Sequence, residues 1–282
     1  MAIVRIGCVK YLNTLPLIEG LEACRDLALV AAAPSKLAPM LRAGEVDLAL
    51  ASVVDVGTGD LDLVPVGMIG CDGPTMTVRL YSRVAWASVR RVYADTDSHT
   101  SVILAQLILA ARFGVTAEVA DFDARERIAP GHASAGEWPE TLLLIGDKAV
   151  TDAPPTGAYV SELDLGEAWR EWTGLPFVYA MWMCRAGEMA RPHVAAAAVL
   201  LDRQRRRNAM RLEWIIQKHA AARRWPTHLA RTYLAELLRY DVDERAREGV
   251  SRFLNEAAAA GLLLACEPRW AHVGASAQPV GV

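Results

Sequence analysis

Tyr11, Leu12, Asn13 and Thr14 follow an apolar run at residues 3–9 and stand just before Pro16. The amide of Asn13 donates and accepts hydrogen bonds without carrying charge. It serves either a ligand or the turn into the next helix. Asp97, Ser98, His99, Thr100 and Ser101 form a second group, between a strand-like run at 90–94 and a helical run at 100–112. Hydroxyls and free N–H groups at a helix start suit a carboxylate or phosphate. The plainer role is a helix cap, and His99 alone is weak evidence for a base. Thr75 and Thr77 alternate with Met76 and Val78, so one face of that stretch carries hydroxyls, toward a cleft or toward solvent. Ser52 follows the apolar run 46–51, and Gly146 and Asp147 follow the run 141–145. Asp147 either orients a hydroxyl or caps the next turn.

Other chemistries lack their residues. There is no Walker-type phosphate loop, no G-x-G-x-x-G after a strand, no G-x-S-x-G and no H-E-x-x-H. Cys8, Cys24, Cys71, Cys184 and Cys266 are far apart and include no Cys-x-x-Cys, so neither a zinc site nor a redox pair has support. Free thiols in a reducing compartment are the expectation. The 30 basic residues are outnumbered by 33 acidic ones, which disfavours a nucleic-acid partner. The arginine-rich stretch 202–225 reads as a solvated helix face. No apolar run approaches the roughly 20 residues of a membrane helix. Ile6-Gly7-Cys8 has no apolar segment before it of the kind an export signal carries, so the cytoplasm is the expected compartment. No metal and no cofactor is called for. A hydrophobic content of 53% and a net charge of -3 describe an ordinary folded chain.

The elements that would position these residues follow from periodicity. Strands are expected at 3–9, 27–33 and 46–51, with a short helix opened by Pro16 and another begun at Pro34 with Ser35 as cap and ended at Gly44. Strand–helix–strand–helix–strand in about 50 residues requires parallel pairing. Two more strands are expected at 61–66 and 76–82, with a turn at Gly70–Thr75. A second α/β unit has strands at 90–94, 141–145 and 177–183, with 122–139 as loop. Residues 189–260 read as almost wholly helical, and the stretch from Glu267 to Val282 as a loose end. The class is α/β, with two lobes and a helical C-terminal section. The chain is expected to cross between the lobes near 79–84 and 181–186. That gives 1–83 with 186–282 as the first lobe and 84–185 as an inserted second lobe. A cleft between lobes is a preferred small-molecule site. Asn13, Ser52 and Gly146 fall at the carboxyl ends of strands, where open α/β sheets bind ligands.

Several segments in order resemble the chorismate dehydratases of the futalosine route to menaquinone. They are Ile6–Leu17, Pro34–Leu37 leading to Gly44–Asp47, Asp72-Gly73-Pro74, Thr100-Ser101, Leu144–Asp147, Asp164–Trp169 and Trp172–Val178. The likeness runs from about residue 3 to 260; Cys71 and His99 depart from the family pattern. It implies a type II periplasmic-binding-protein fold turned into an enzyme. It also implies loss of water from chorismate to give 3-[(1-carboxyvinyl)oxy]benzoate, with the substrate's enolpyruvyl carboxylate as the base. On that likeness Asn13 would stand nearest the reacting atoms. Thr100 and Ser101 would hold a carboxylate, and Tyr11, Ser52, Thr75, Thr77, His99, Gly146 and Asp147 complete the expected lining. The partner would be a small dianion. The rival readings are a sister enzyme of the same fold, such as dihydroxynaphthoate synthase or a dehydratase of another cyclic acid, and a non-catalytic binder of small anions.

Overall fold

The computed structural model describes residues 3–95, 99–123 and 137–273. Asp97 and Ser98 of the second candidate group, residues 124–136 of the expected loop and the last residues of the expected loose end lie outside these.

Two sheets form the frame. The first has the order β11-β4-β10-β3-β1-β2 and the second β7-β6-β8-β5-β9. In the first, β1 (Val4–Cys8) pairs in parallel with both β2 (Leu27–Ala31) and β3 (Leu48–Ser52). The links are the short helix α1 (Leu15–Ile18) and helix α2 (Pro34–Arg42). Helix α2 takes Pro34 as its first residue and Ala33 as its cap, so Ser35 is not the cap. Proline suits that first position because its missing N–H would be unpaired there anyway.

The chain leaves the first sheet after β4 (Leu61–Cys71) and enters the second with β5 (Val78–Ser82). There β6 (Arg91–Asp95), helix α3 (Thr100–Phe113) and β7 (Glu118–Phe122) make a parallel unit with β8 (Thr141–Ile145). Helix α4 (Lys148–Thr151), edge strand β9 (Ser161–Asp164) and helix α5 (Leu165–Thr173) complete it. The chain returns as β10 (Phe177–Arg185), antiparallel between β3 and β4. The crossings therefore lie at 72–77 and 174–176. Boundaries at 83/84 and 185/186 would put β5 and β10 in the wrong sheets. The apolar runs gave the strands, but their partners depend on contacts far away in the chain.

Other expectations shift as well. Gly70 and Cys71 belong to β4 rather than to a turn. Thr75 and Thr77 precede β5, and Met76 between them has a left-handed φ of 69°. They are therefore buried crossing residues rather than a strand face. The strands β7 and β9 were missed because edge strands carry exposed polar residues that blur the apolar pattern. Beyond Gly187 come α6 (Pro192–Met210), α7 (Leu212–His219), α8 (Thr227–Arg231), a π-helical turn (Thr232–Leu237), the two-residue strand β11 (Leu238–Arg239) and α9 (Glu244–Ala259). The section past Glu267 is not wholly loose, because Leu63 of β4 bonds the backbone of Arg269 and Ala271.

Aromatic packing joins the parts. Trp169 of α5, Phe177 of β10 and Phe253 of α9 meet edge to face, with centroids 4.9–6.0 Å apart. This arrangement suits the quadrupoles of the rings. The N-terminal segment is tied down separately. The buried Glu19 carboxylate, just after α1, meets Lys218 Nζ at 2.7 Å and His219 Nε2 at 2.9 Å. Its backbone carbonyl accepts from Gln204 and Asn208. Burial raises the Glu19 acid, but Lys218 and His219 outweigh burial and leave it below the ordinary 4.5. A lowered folded value means that its stabilisation is complete above the unfolded value and is lost as pH falls through the folded one. Glu19→Gln should therefore cost about 1–3 kcal/mol at neutral pH. In urea titrations this gap to the parent should shrink as the pH falls below 4.5. A constant gap across that range would remove the charge from the account.

Candidate functional site

One cleft collects nearly all of the candidate residues. Its walls enclose about 670 Å³ of space, with open solvent at the mouth included. Tyr11 and Asn13 enter after β1, and Ser52 ends β3 opposite Ala180 of β10. Thr75 and Thr77 come from the outward crossing. His99, Thr100 and Ser101 stand at the start of α3, and Gly146 follows β8. Parallel strand ends from both sheets thus open into the same space. Val9, Leu50, Ile69, Val78 and Ile145 supply the apolar wall.

Asp147 is the exception, since it does not line the cleft. Its carboxylate accepts the Leu12 N–H at 3.3 Å, which fastens the Asn13 segment to the second sheet. Burial lifts the Asp147 carboxyl above its ordinary value against the opposing pull of that N–H. Asp147 is therefore placed to position the backbone beside Asn13, not to touch a ligand. Gly146 has a φ of 65°, and an added Cβ would lie 3.3 Å from the Tyr11 ring. A larger residue would be strained and would push the ring away.

The sequence reading missed two phenols. Tyr233, on the π-helical turn, is buried and lies face to face with Trp225 at 5.1 Å and 7°. Its hydroxyl accepts from Asn13 Nδ2 at 3.1 Å and from Thr77 Oγ1 at 2.7 Å. Tyr179 of β10 has its hydroxyl 2.8 Å from Thr75 Oγ1, and Thr75 Oγ1 lies 3.3 Å from Cys71 Sγ. Burial lifts both phenols above the ordinary tyrosine value, so both keep their protons at neutral pH. It pushes the Cys71 thiol up to about 11, which makes it a poor nucleophile. Tyr179 sits in an apolar run, where an aromatic residue reads as core, and Tyr233 sits in a stretch that reads as ordinary helix. A π-helical turn, a frequent mark of functional sites, leaves no simple sequence signature.

Thr100 also departs from expectation. Its hydroxyl donates to the Tyr179 carbonyl at 3.0 Å, which locks the start of α3 to β10. Any anion at this helix start would meet backbone N–H groups and Ser101 first. His99 Nδ1 lies 3.8 Å from the Asp55 carboxylate, which raises the histidine above its ordinary value against the effect of burial. A histidine held toward its cationic form suits an anion better than it suits proton removal. No Asp, Glu, Lys or Arg lines the cleft among the described residues. Nor does any group of three His, Cys, Asp or Glu stand ready for a metal among them.

The crossing that carries Thr75 and Thr77 is fixed by Asp164. This buried carboxylate accepts from the N–H groups of Thr75 and Met76 at 2.7–3.0 Å. It also caps α5 through Gly166 and Glu167. Asp164→Ala would strip these donors of their acceptor and should cost about 2–4 kcal/mol. Chemical denaturation measures that cost, and parental stability would show that water replaces the carboxylate freely. Asp164→Asn, which keeps one acceptor oxygen, should recover part of the loss.

Known proteins match along the whole of this architecture. The Candida albicans CA3427 gene product, described as having the generic periplasmic binding protein fold, superposes with a TM-score of 0.59. It is 9% identical and covers 95% of this chain and 92% of its own. The alkanesulfonate-binding protein SsuA of Xanthomonas axonopodis pv. citri, bound to MOPS, superposes at 0.63 with 14% identity, over 93% of this chain and 94% of its own. The fold is thus periplasmic-binding-protein-like. No described helix is long and apolar enough to cross a membrane. A chorismate dehydratase of Thermus thermophilus is 30% identical over 266 residues, which is 88% of this chain and 93% of the relative. The menaquinone biosynthesis family model matches residues 4–259, and the chain belongs to that family.

Proposed function

We propose that this protein is a hydro-lyase that removes water from chorismate to give 3-[(1-carboxyvinyl)oxy]benzoate. The observation that carries the reading is the cleft itself. Neutral hydroxyl and amide donors line it, one helix starts in it, and no carboxylate or lysine of the described residues reaches it. Such a lining suits a dianion and offers no strong protein base. The relative named chorismate dehydratase supports the same assignment.

The chemistry fits a site of this kind. Elimination breaks the C3–H and C4–O bonds and leaves an aromatic ring, so the products are strongly favoured. The barrier lies in taking a proton from carbon and expelling hydroxide. The enolpyruvyl carboxylate of the substrate itself can reach C3 and act as base. The protein then supplies orientation and fixed dipoles rather than a base. Asn13 would contact the reacting region from the first sheet. Ser101 and the start of α3 would take a carboxylate, with His99 nearby as a partial positive charge. Ser52 and Thr75 would serve the remaining polar atoms. Exclusion of water by the apolar wall strengthens each of these contacts.

Purified protein should convert chorismate to the enolpyruvyl benzoate without added metal or cofactor, as read by mass and ultraviolet absorbance. No product over hours would sink this reading. Asn13→Ala should keep the fold by circular dichroism and lose about 100-fold or more in kcat. Parental turnover in that variant would take Asn13 out of the site.

A further inference from the structure

We propose that Tyr233 donates its hydroxyl proton in a hydrogen bond to the leaving C4 oxygen of the substrate. This rests on the chorismate reading and assigns a residue to the hardest part of the step. A phenol has one proton to give and two lone pairs to receive with. In Tyr233 both lone pairs are occupied, by Asn13 Nδ2 at 3.1 Å and Thr77 Oγ1 at 2.7 Å. The Asn13 amide is oriented by a second contact, because Thr14 Oγ1 donates to its Oδ1 at 3.3 Å and so turns Nδ2 toward Tyr233. The phenol proton then has no protein acceptor among the described residues. Tyr233 lines the cleft together with Asn13 and Thr77.

The ring has little freedom to turn away. Trp225 stacks on it with an interplanar angle of 7°, and Tyr233 is 1% exposed. Its donors come from the segment after β1 and from the outward crossing, and the phenol itself from the C-terminal section. The donor is thus fixed from three sides before substrate arrives, which removes reorganisation from the reaction step.

The atoms balance without a second reactant. The C3–H pair becomes the new ring double bond, and the C4–O pair leaves with oxygen. The proton taken by the enolpyruvyl carboxylate ends on the departing hydroxide, so water is released and the carboxylate is restored. Tyr233 keeps its proton throughout and stabilises the negative charge growing on that oxygen. A neutral donor held in a dry site does this without ionising.

Tyr233→Phe keeps the ring and its stack on Trp225 and removes only the hydroxyl. It should lower kcat by about 100-fold with little change in KM. Its affinity for 3-[(1-carboxyvinyl)oxy]benzoate should match the parent, because that product lacks the C4 oxygen. Calorimetric titration with the product gives this second readout and needs no turnover. A parental kcat in the variant would overturn the proposal. So would product binding weakened as much as kcat, since that marks a merely structural hydroxyl. If the parent itself leaves chorismate unchanged, the assignment of Tyr233 and the proposed reaction both fall. An active parent with an equally active variant removes only the role of Tyr233.

Discussion

One carboxylate joins what the chain would otherwise leave apart. Asp164 ends the second sheet and begins α5, and it receives the N–H groups of Thr75 and Met76 from the outward crossing. The left-handed backbone at Met76 is tolerable because its own N–H and that of Thr75 are held by Asp164. With that crossing fixed, Thr75 and Thr77 face the cleft from a hinge segment and not from a free loop. Asp147 does the corresponding work on the other side, where it binds Leu12 and thereby holds Asn13 in register with β8. The two acids are structural, and their placement leaves the cleft itself to neutral groups.

That division decides the character of the site. The net charge of -3 gives no long-range attraction for a dianion. Attraction has to come from short-range features, such as the start of α3, the Asp55-supported His99, and the hydroxyls and amide. Short-range dipoles gain strength when water is excluded, and the cleft is walled by Val9, Leu50, Ile69 and Ile145. Selectivity then depends on closeness of fit more than on charge.

Much of this was legible in the residues and some was not. The runs 141–145 and 100–112 matched β8 and α3 almost residue for residue, because buried strands and helix starts carry strong local signals. Asn13, Ser52 and Gly146 were found by a positional rule, that ligands sit beyond the carboxyl ends of parallel strands. The same rule misplaced Asp147, because it cannot tell a side chain facing the cleft from one turned to a neighbouring backbone. Tyr233 lies 220 positions from its partner Asn13, and nothing local connects them. The lobe boundaries failed for a related reason. β10 is apolar enough for either sheet, and only its pairing with Ser52 and Cys71 decides.

The inserted unit begins and ends at one place in its own sheet. Its first strand and its last are hydrogen-bonded neighbours, with Arg79 opposite Asp164. A segment that starts and finishes at one spot can be spliced into a host chain at the cost of two short linkers, without stretching either part. Asn13 and Tyr233 come from the host and Ser101 and Gly146 from the insert, so each part supplies one wall of the cleft.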